Sequence, residues 1–223
     1  MNKMIAGVAV VLGLGLAAFW FSSGIGTQST SVPAVSPVSS AEAQEVDTSG
    51  VLEMSIGNPE ASVTVVEYAS YTCPHCARFH SGPFKELTRD YIDTGKINFV
   101  YREVYFDRFG LWAGMLARCA GPDRYFAISD LLYQQQSDWA RAGEPADVAA
   151  ALRRLGLSVG MSGDQVDACM QDGEMAQAMV AVFQANAAAD NVSSTPSFII
   201  NGESYSNMSY DEFARVLDEK LGE

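Results

Sequence analysis

The stretch VTVVEYASYTCPHC, residues 63–76, decides how this chain is read. Its first six residues, 63–68, are almost continuously apolar and β-branched, which predicts a strand in the buried middle of a sheet. That strand carries one acid, Glu67. Then comes Cys73-Pro74-His75-Cys76, where the β-rich run gives way to a helix-like segment. At a helix N-terminus the dipole favours a thiolate over a thiol. The thiolate is the species that attacks disulfides, and a second thiol one turn on can expel the first from a mixed disulfide. The stretch therefore proposes a reaction type along with a strand-to-helix transition.

Working outward, the helix is predicted to run from Cys73 or Pro74 to about Ile92, with a bend at Pro83. Residues 97–104 read as the next strand, which closes a β-α-β unit and implies parallel pairing through a right-handed crossover. A short first strand is expected at 52–56, ended by the turn signal Gly57-Asn58-Pro59. From about 107 to 172 only helical periodicity is visible, with candidate helices at 108–120, 122–137, 145–155 and 163–171. A further helix is expected at 174–189. Strands at 197–200 and 203–205 flank Asn201-Gly202, a hairpin signal. Residues 210–221 form a closing amphipathic helix. The expected class is α/β, a thioredoxin fold with an inserted helical subdomain.

The front of the chain differs. Residues 4–21 are an apolar Gly/Ala-rich run preceded by one cation, Lys3, and the next Lys or Arg is Arg78. That bias leaves the N-terminus inside and carries the rest across a membrane. The run reads either as a cleaved export signal, with Ala41-Glu42-Ala43 a distant small-x-small site, or as a retained anchor flanked by Phe19, Trp20 and Phe21. The organisation expected is thus 1–21 signal sequence or membrane anchor, 22–46 flexible Ser/Pro linker, and 47–223 folded domain with a helical insertion at about 107–173. The net charge is −13, and only Lys3, Glu42 and Glu45 among charged residues lie before residue 47. Such an acidic domain argues against nucleic acid and anionic lipid as partners.

Cys73-Pro74-His75-Cys76 after a Glu-bearing strand, together with Thr195-Pro196-Ser197-Phe198-Ile199-Ile200-Asn201-Gly202, resembles the DsbA family of secreted thiol:disulfide oxidoreductases over roughly residues 47–223. The resemblance implies that Cys73 is the exposed nucleophile and Cys76 the buried resolving partner. Pro74 and His75 would tune the pair, Pro74 by fixing φ in the first turn and His75 by donating toward the sulfur. Glu67 would lie beneath the cysteines and help move protons from the resolving thiol, its pKa raised by an apolar setting. Thr195 would precede a cis proline, Pro196, and present its backbone to an extended substrate. His80, outside the motif, reads as helix surface.

Cys119 and Cys169 both fall in the helical block. In an exported protein two remaining cysteines suggest a structural disulfide. The pairing Cys73–Cys76 with Cys119–Cys169 is preferred to the two crossed pairings, with buried free thiols as an alternative. Trp112, Met115, Leu116, Tyr125, Phe126, Leu131 and Leu132 are expected mainly in the core. The resemblance implies a periplasmic monomer that oxidises reduced unfolded exported proteins and is itself reoxidised by a DsbB-like, quinone-linked membrane oxidase, with no metal or organic cofactor. An isomerase or reductase on the same scaffold is the first alternative, because threonine before the cis proline is common in those branches. A metal-binding module or a chaperone without redox activity is the second.

Overall fold

The computed structural model describes residues 46–222. The expected signal or anchor at 1–21, and all of the expected linker but Val46, lie outside the described residues. Five strands form one mixed sheet: β1 (Met54–Gly57), β2 (Val63–Ala69), β3 (Ile97–Glu103), β4 (Ser197–Ile200) and β5 (Glu203–Ser206). Their spatial order is β1-β3-β2-β4-β5. The β2–β3 pair is parallel, as the crossover demands, and β1–β3, β2–β4 and β4–β5 are antiparallel. The β4–β5 hairpin turns at Asn201 and Gly202, both at positive φ (48° and 85°), the geometry that an Asn-Gly pair favours.

The crossover from β2 to β3 is broken into pieces. Helix α1 (Pro74–Ser81) stops at Gly82, and α2 (Pro83–Leu87) restarts at Pro83, which lacks the N–H that a continuous helix needs. A π-helical turn, Thr88–Ile92, follows. The expected bend is therefore a break, and the π turn had no sequence signal.

Between β3 and α8 (Gly173–Ala189) lies the helical block: α3 (Arg108–Cys119), α4 (Pro122–Gln134), α5 (Gln136–Ala140), α6 (Pro145–Ser158) and α7 (Gly163–Met170). The expected helix 122–137 is split at Gln135, whose φ of −101° and ψ of 15° leave the helical region. Trp139 is then free to bury its ring and donate its indole N–H to the carbonyl of Leu132 at 2.7 Å. Helix α6 runs past the expected end at 155 because Gly156 is a contact point and not a terminator: a Cβ there would stand 2.7 Å from Val166 of α7. The last helix, α9 (Tyr210–Leu221), has the expected bounds. Of the expected core residues, Met115, Leu116, Tyr125 and Leu132 are buried, while Trp112, Phe126 and Leu131 are half-buried.

Successive residues of β2 face opposite sides of the sheet. On one side Glu67 lies in a row between Tyr101 of β3 and Phe198 of β4. Phe79 of α1 and Phe213 of α9 pack over that row, with ring centroids 4.8 and 4.9 Å from Phe198. On the other side Tyr68 meets α8, donating its hydroxyl to Asp190 at 2.5 Å, while Arg102 bridges Asp190 and Glu53. Among the described residues no helix is long and apolar enough to cross a membrane.

Candidate active site

Cys73 ends the loop after β2 and is the N-cap of α1, with φ −80° and ψ 119°. Pro74 occupies the first turn, where a missing N–H costs nothing. Cys73 is partly exposed, Cys76 is fully buried one turn on, and both are free thiols. The Cys73 thiol has its pKa brought down to about 5, first by a hydrogen bond from the Cys76 side chain, then by Thr195 and the backbone N–H groups of Cys76 and His75, against an opposing effect of burial. Cys76 is pushed the other way. Burial raises its pKa most, followed by its hydrogen bond to Cys73 and the negative charge of Glu67. The chain thus makes one sulfur a ready thiolate and keeps its neighbour protonated.

The Thr195–Pro196 peptide bond is cis. The Thr195 carbonyl lies 3.5 Å from the Cys73 sulfur, which donates to it as the thiol. Residues from the two ends of the domain therefore meet at the reactive atom. The ring of His75 is exposed and turned along the helix, where its Nδ1 accepts from Arg78 at 2.7 Å. What His75 gives the sulfur is its backbone N–H.

Glu67 is completely buried, and so is the residue that holds it. Nε2 of His80 lies 2.9 and 3.2 Å from the two carboxylate oxygens. This corrects the expectation that His80 is helix surface: it is 3% exposed. The reason is its spacing. His80 follows Cys76 by four residues, which puts both on the face of α1 turned toward β2. The His80 ring stacks on Tyr133 of α4, centroids 4.2 Å apart and planes 14° apart. The Tyr133 hydroxyl meets that of Tyr101 at 2.5 Å.

A second set of residues holds the loop. Gln136 of α5 donates to the carbonyls of Tyr71 (2.8 Å) and Cys73 (2.9 Å). Asp107 caps α3 by accepting from the N–H groups of Phe109 and Gly110, and its other oxygen accepts from the Thr72 hydroxyl at 2.7 Å. Gly110 permits this approach, since a Cβ there would stand 3.3 Å from the Ser70 hydroxyl. Tyr71 is hydrogen-bonded to Ser129 and Tyr125, and Tyr125 donates to Glu103, which pairs with Arg118 at 2.6 Å. Asp107 just before an apolar-periodic run is an N-cap signal that could have been read. Gln136 carries no such mark. Cys119 and Cys169 form a disulfide joining the end of α3 to α7, Cα atoms 5.9 Å apart. Among the described residues no group of three or more His, Cys, Asp or Glu converges as metal ligands would.

Comparison with known proteins agrees with this geometry. A family profile described as Thioredoxin matches residues 49–219. A Rickettsia typhi chain, provisionally named protein-disulfide oxidoreductase, is 35% identical over 170 residues, 76% of this chain and 62% of its own length. The chain thus spans less than two thirds of that relative. Disulfide bond formation protein D of Bacillus subtilis is 26% identical over 182 residues, covering 74% of this chain and 76% of that protein. The crystal structure of Wolbachia pipientis alpha-DsbA1 superposes with a TM-score of 0.70 at 25% identity, over 76% of this chain and 91% of that one. With the C-x-x-C helix start, the helical insertion and the threonine-proline loop in one domain, the chain belongs to the DsbA family of thioredoxin-like thiol:disulfide oxidoreductases.

Proposed function

We propose that the protein is an extracytoplasmic dithiol oxidase that introduces disulfide bonds into exported proteins through Cys73 and Cys76. The observation that carries this reading is the opposition between the two sulfurs, Cys73 lowered to about 5 and Cys76 raised. Stabilising the reduced pair makes the disulfide an oxidant. A substrate thiolate attacks the Cys73 sulfur of the Cys73–Cys76 disulfide, the S–S bond breaks, and Cys76 leaves and takes up a proton. A second substrate thiolate then attacks the substrate sulfur of the mixed disulfide, and Cys73 departs as a thiolate. Two electrons have passed from substrate to protein.

Thr195, at the sulfur, offers its backbone to an extended substrate, and Phe106, 61% exposed beside the loop-binding Asp107, offers an apolar contact. Reduced unfolded exported proteins are the substrates, and a quinone-linked membrane oxidase of the DsbB type restores the disulfide. Residues 1–21 deliver the domain to the periplasm as signal or anchor, with 22–46 as tether, and the domain acts as a monomer. The chemistry needs only the two thiols.

The test is the reduction potential of the Cys73–Cys76 couple, measured beside disulfide formation in a reduced unfolded protein. A potential well above thioredoxin's roughly −270 mV, with oxidation lost in Cys73→Ser, is the expected result. A potential near thioredoxin's would move the direction to reduction or isomerisation, the alternative that Thr195 before Pro196 keeps in view.

A further inference from the structure

The family resemblance gives Glu67 the proton of the resolving thiol but names no residue that holds Glu67 in place. When the disulfide opens, Cys76 must gain a proton in a place that water does not reach, and when it closes that proton must leave. Cys76 is fully buried, and so are the side chains that surround its route. Glu67 of β2 bears on it electrostatically, as Glu67 and Cys76 both do on Tyr133. His80, one turn along α1 from Cys76, holds both oxygens of Glu67 at 2.9 and 3.2 Å.

We propose that His80 is the positioning residue of this step: it holds Glu67 in a buried carboxylate–imidazole pair that gives a proton to Cys76 as the disulfide opens and takes it back as it closes. The inference rests on the exchange activity proposed above and on the proton transfer that the family resemblance gives to Glu67, and adds the residue that holds Glu67 for it. A carboxylate alone at this depth would be an unpaired buried charge, which is costly. Paired with the imidazole, both carboxylate oxygens have a hydrogen-bond partner inside the core. The groups facing His80 are Glu67 from β2, Tyr101 from β3, Tyr133 from α4 and Cys76 from its own helix, with Phe79 and Phe84 completing an aromatic shell. Tyr101 and Tyr133 have their pKa values raised well above the ordinary tyrosine range, chiefly by burial, so they hold their protons and leave the exchange to the pair.

The proton count closes in both directions. In opening, the Cys73–Cys76 bond takes two electrons from a substrate thiolate, Cys76 receives the proton of the pair, and the pair is refilled from solvent. In closing, Cys76 gives its proton to the pair and its thiolate displaces the thiolate bound to Cys73.

The closing step can be isolated with oxidised glutathione. The Cys73 thiolate attacks glutathione disulfide, releases one glutathione thiolate and forms a Cys73–glutathione mixed disulfide. Cys76 then resolves it and expels the second. Acid quench followed by mass spectrometry gives both rates between pH 5 and 9. In His80→Gln, which keeps a donor to Glu67 but no imidazole, and in His80→Phe, the mixed disulfide should persist on the order of tenfold longer or more at pH 6–7. The wild-type resolution rate should depend less steeply on pH than the variant rates, which keep climbing until hydroxide closes the gap. Glu67→Gln should give the same persistence, and the double variant with His80→Gln should be no slower than the slower single one. Unchanged lifetime and pH profile in both His80 variants would overturn the assignment, and so would multiplicative effects in the double variant. Failure of the wild type to form the mixed disulfide at all would instead strike the exchange activity itself. His80→Gln, a near-isosteric change judged by its melting curve, keeps the test valid should His80→Phe misfold.

Discussion

The molecule carries two pairs of cysteines that share a compartment but not a fate. Cys119 and Cys169, fifty positions apart, are brought together from α3 and α7 and are bonded. Cys73 and Cys76 lie one helical turn apart and are free. The first pair is distant in sequence and half-buried at both ends, so its bond ties two helices of the insertion. The second pair is placed asymmetrically, one sulfur at a helix start and one in the core. The contrast teaches that chemistry in such a protein follows the difference between two sulfurs. Two cysteines in equivalent surroundings have no reason to prefer either direction of exchange, whereas a thiolate beside a buried thiol does.

The largest effect should appear on titrating the reduced protein. Thiolate absorbance at Cys73 should rise with a midpoint near 5, and Cys76 should contribute none below about pH 9. An ordinary thiol, with a pKa of about 8.5, is only a few per cent thiolate at pH 7. Because the folded-state value lies below the unfolded one, the thiolate stabilises the reduced fold above about pH 8.5. That stabilisation is lost as pH falls through about 5. The oxidised form has no thiol there, so the gap in unfolding stability between reduced and oxidised protein should narrow on acidification. Thr195→Val, which removes one stabilising hydrogen bond, should shift the midpoint upward. A midpoint near 8.5 in the wild type would erase the contrast between the two pairs.

A smaller effect, of a different kind, is expected at the other pair. Cys119→Ala with Cys169→Ala should lower unfolding stability in urea by about 2–5 kcal/mol, the usual loss for a native disulfide. The folded double variant should keep the Cys73 midpoint and its exchange rate with glutathione within about twofold. Loss of exchange in a variant that still melts cooperatively would mean that the two pairs are coupled, with the insertion acting on the site.

How far the site was legible follows from how each residue is held. Cys73, Cys76 and Pro74 act through local geometry, a strand end and a helix start, and local geometry is written in adjacent residues. The sheet was legible for the same reason: 63–68 is a nearly continuous apolar run, 97–104 is rich in β-branched and aromatic residues, and Asn201-Gly202 has one natural turn. Glu67 could be placed by its offset from the cysteines, but its partner could not. His80 reads as a polar residue on a helix until α1 is docked on β2, and only then does the i, i+4 relation to Cys76 turn it inward. The break at Gln135 and the continuation of α6 through Gly156 were hidden likewise, since both depend on which helix packs against which. Tertiary contact overrode local propensity at these places.

Gln136 offers the finest test of whether the insertion merely caps the site or positions it. Its amide donates to the carbonyls of Tyr71 and Cys73, the residues on either side of Thr72. The Cys73 carbonyl also accepts from Ala77 at 3.1 Å and so keeps a partner if the amide is lost. The Tyr71 carbonyl depends more on Gln136. Gln136→Leu should therefore cost about 1–3 kcal/mol of stability, the range for one unsatisfied buried acceptor. It should leave the Cys73 midpoint almost unmoved, because the groups that lower it are Cys76, Thr195 and the backbone of α1. If the midpoint instead rises together with the loss of stability, the position of the Cys73 sulfur is set by the helical block as well as by its own helix. The redox pair would then belong to the insertion as much as to the thioredoxin framework.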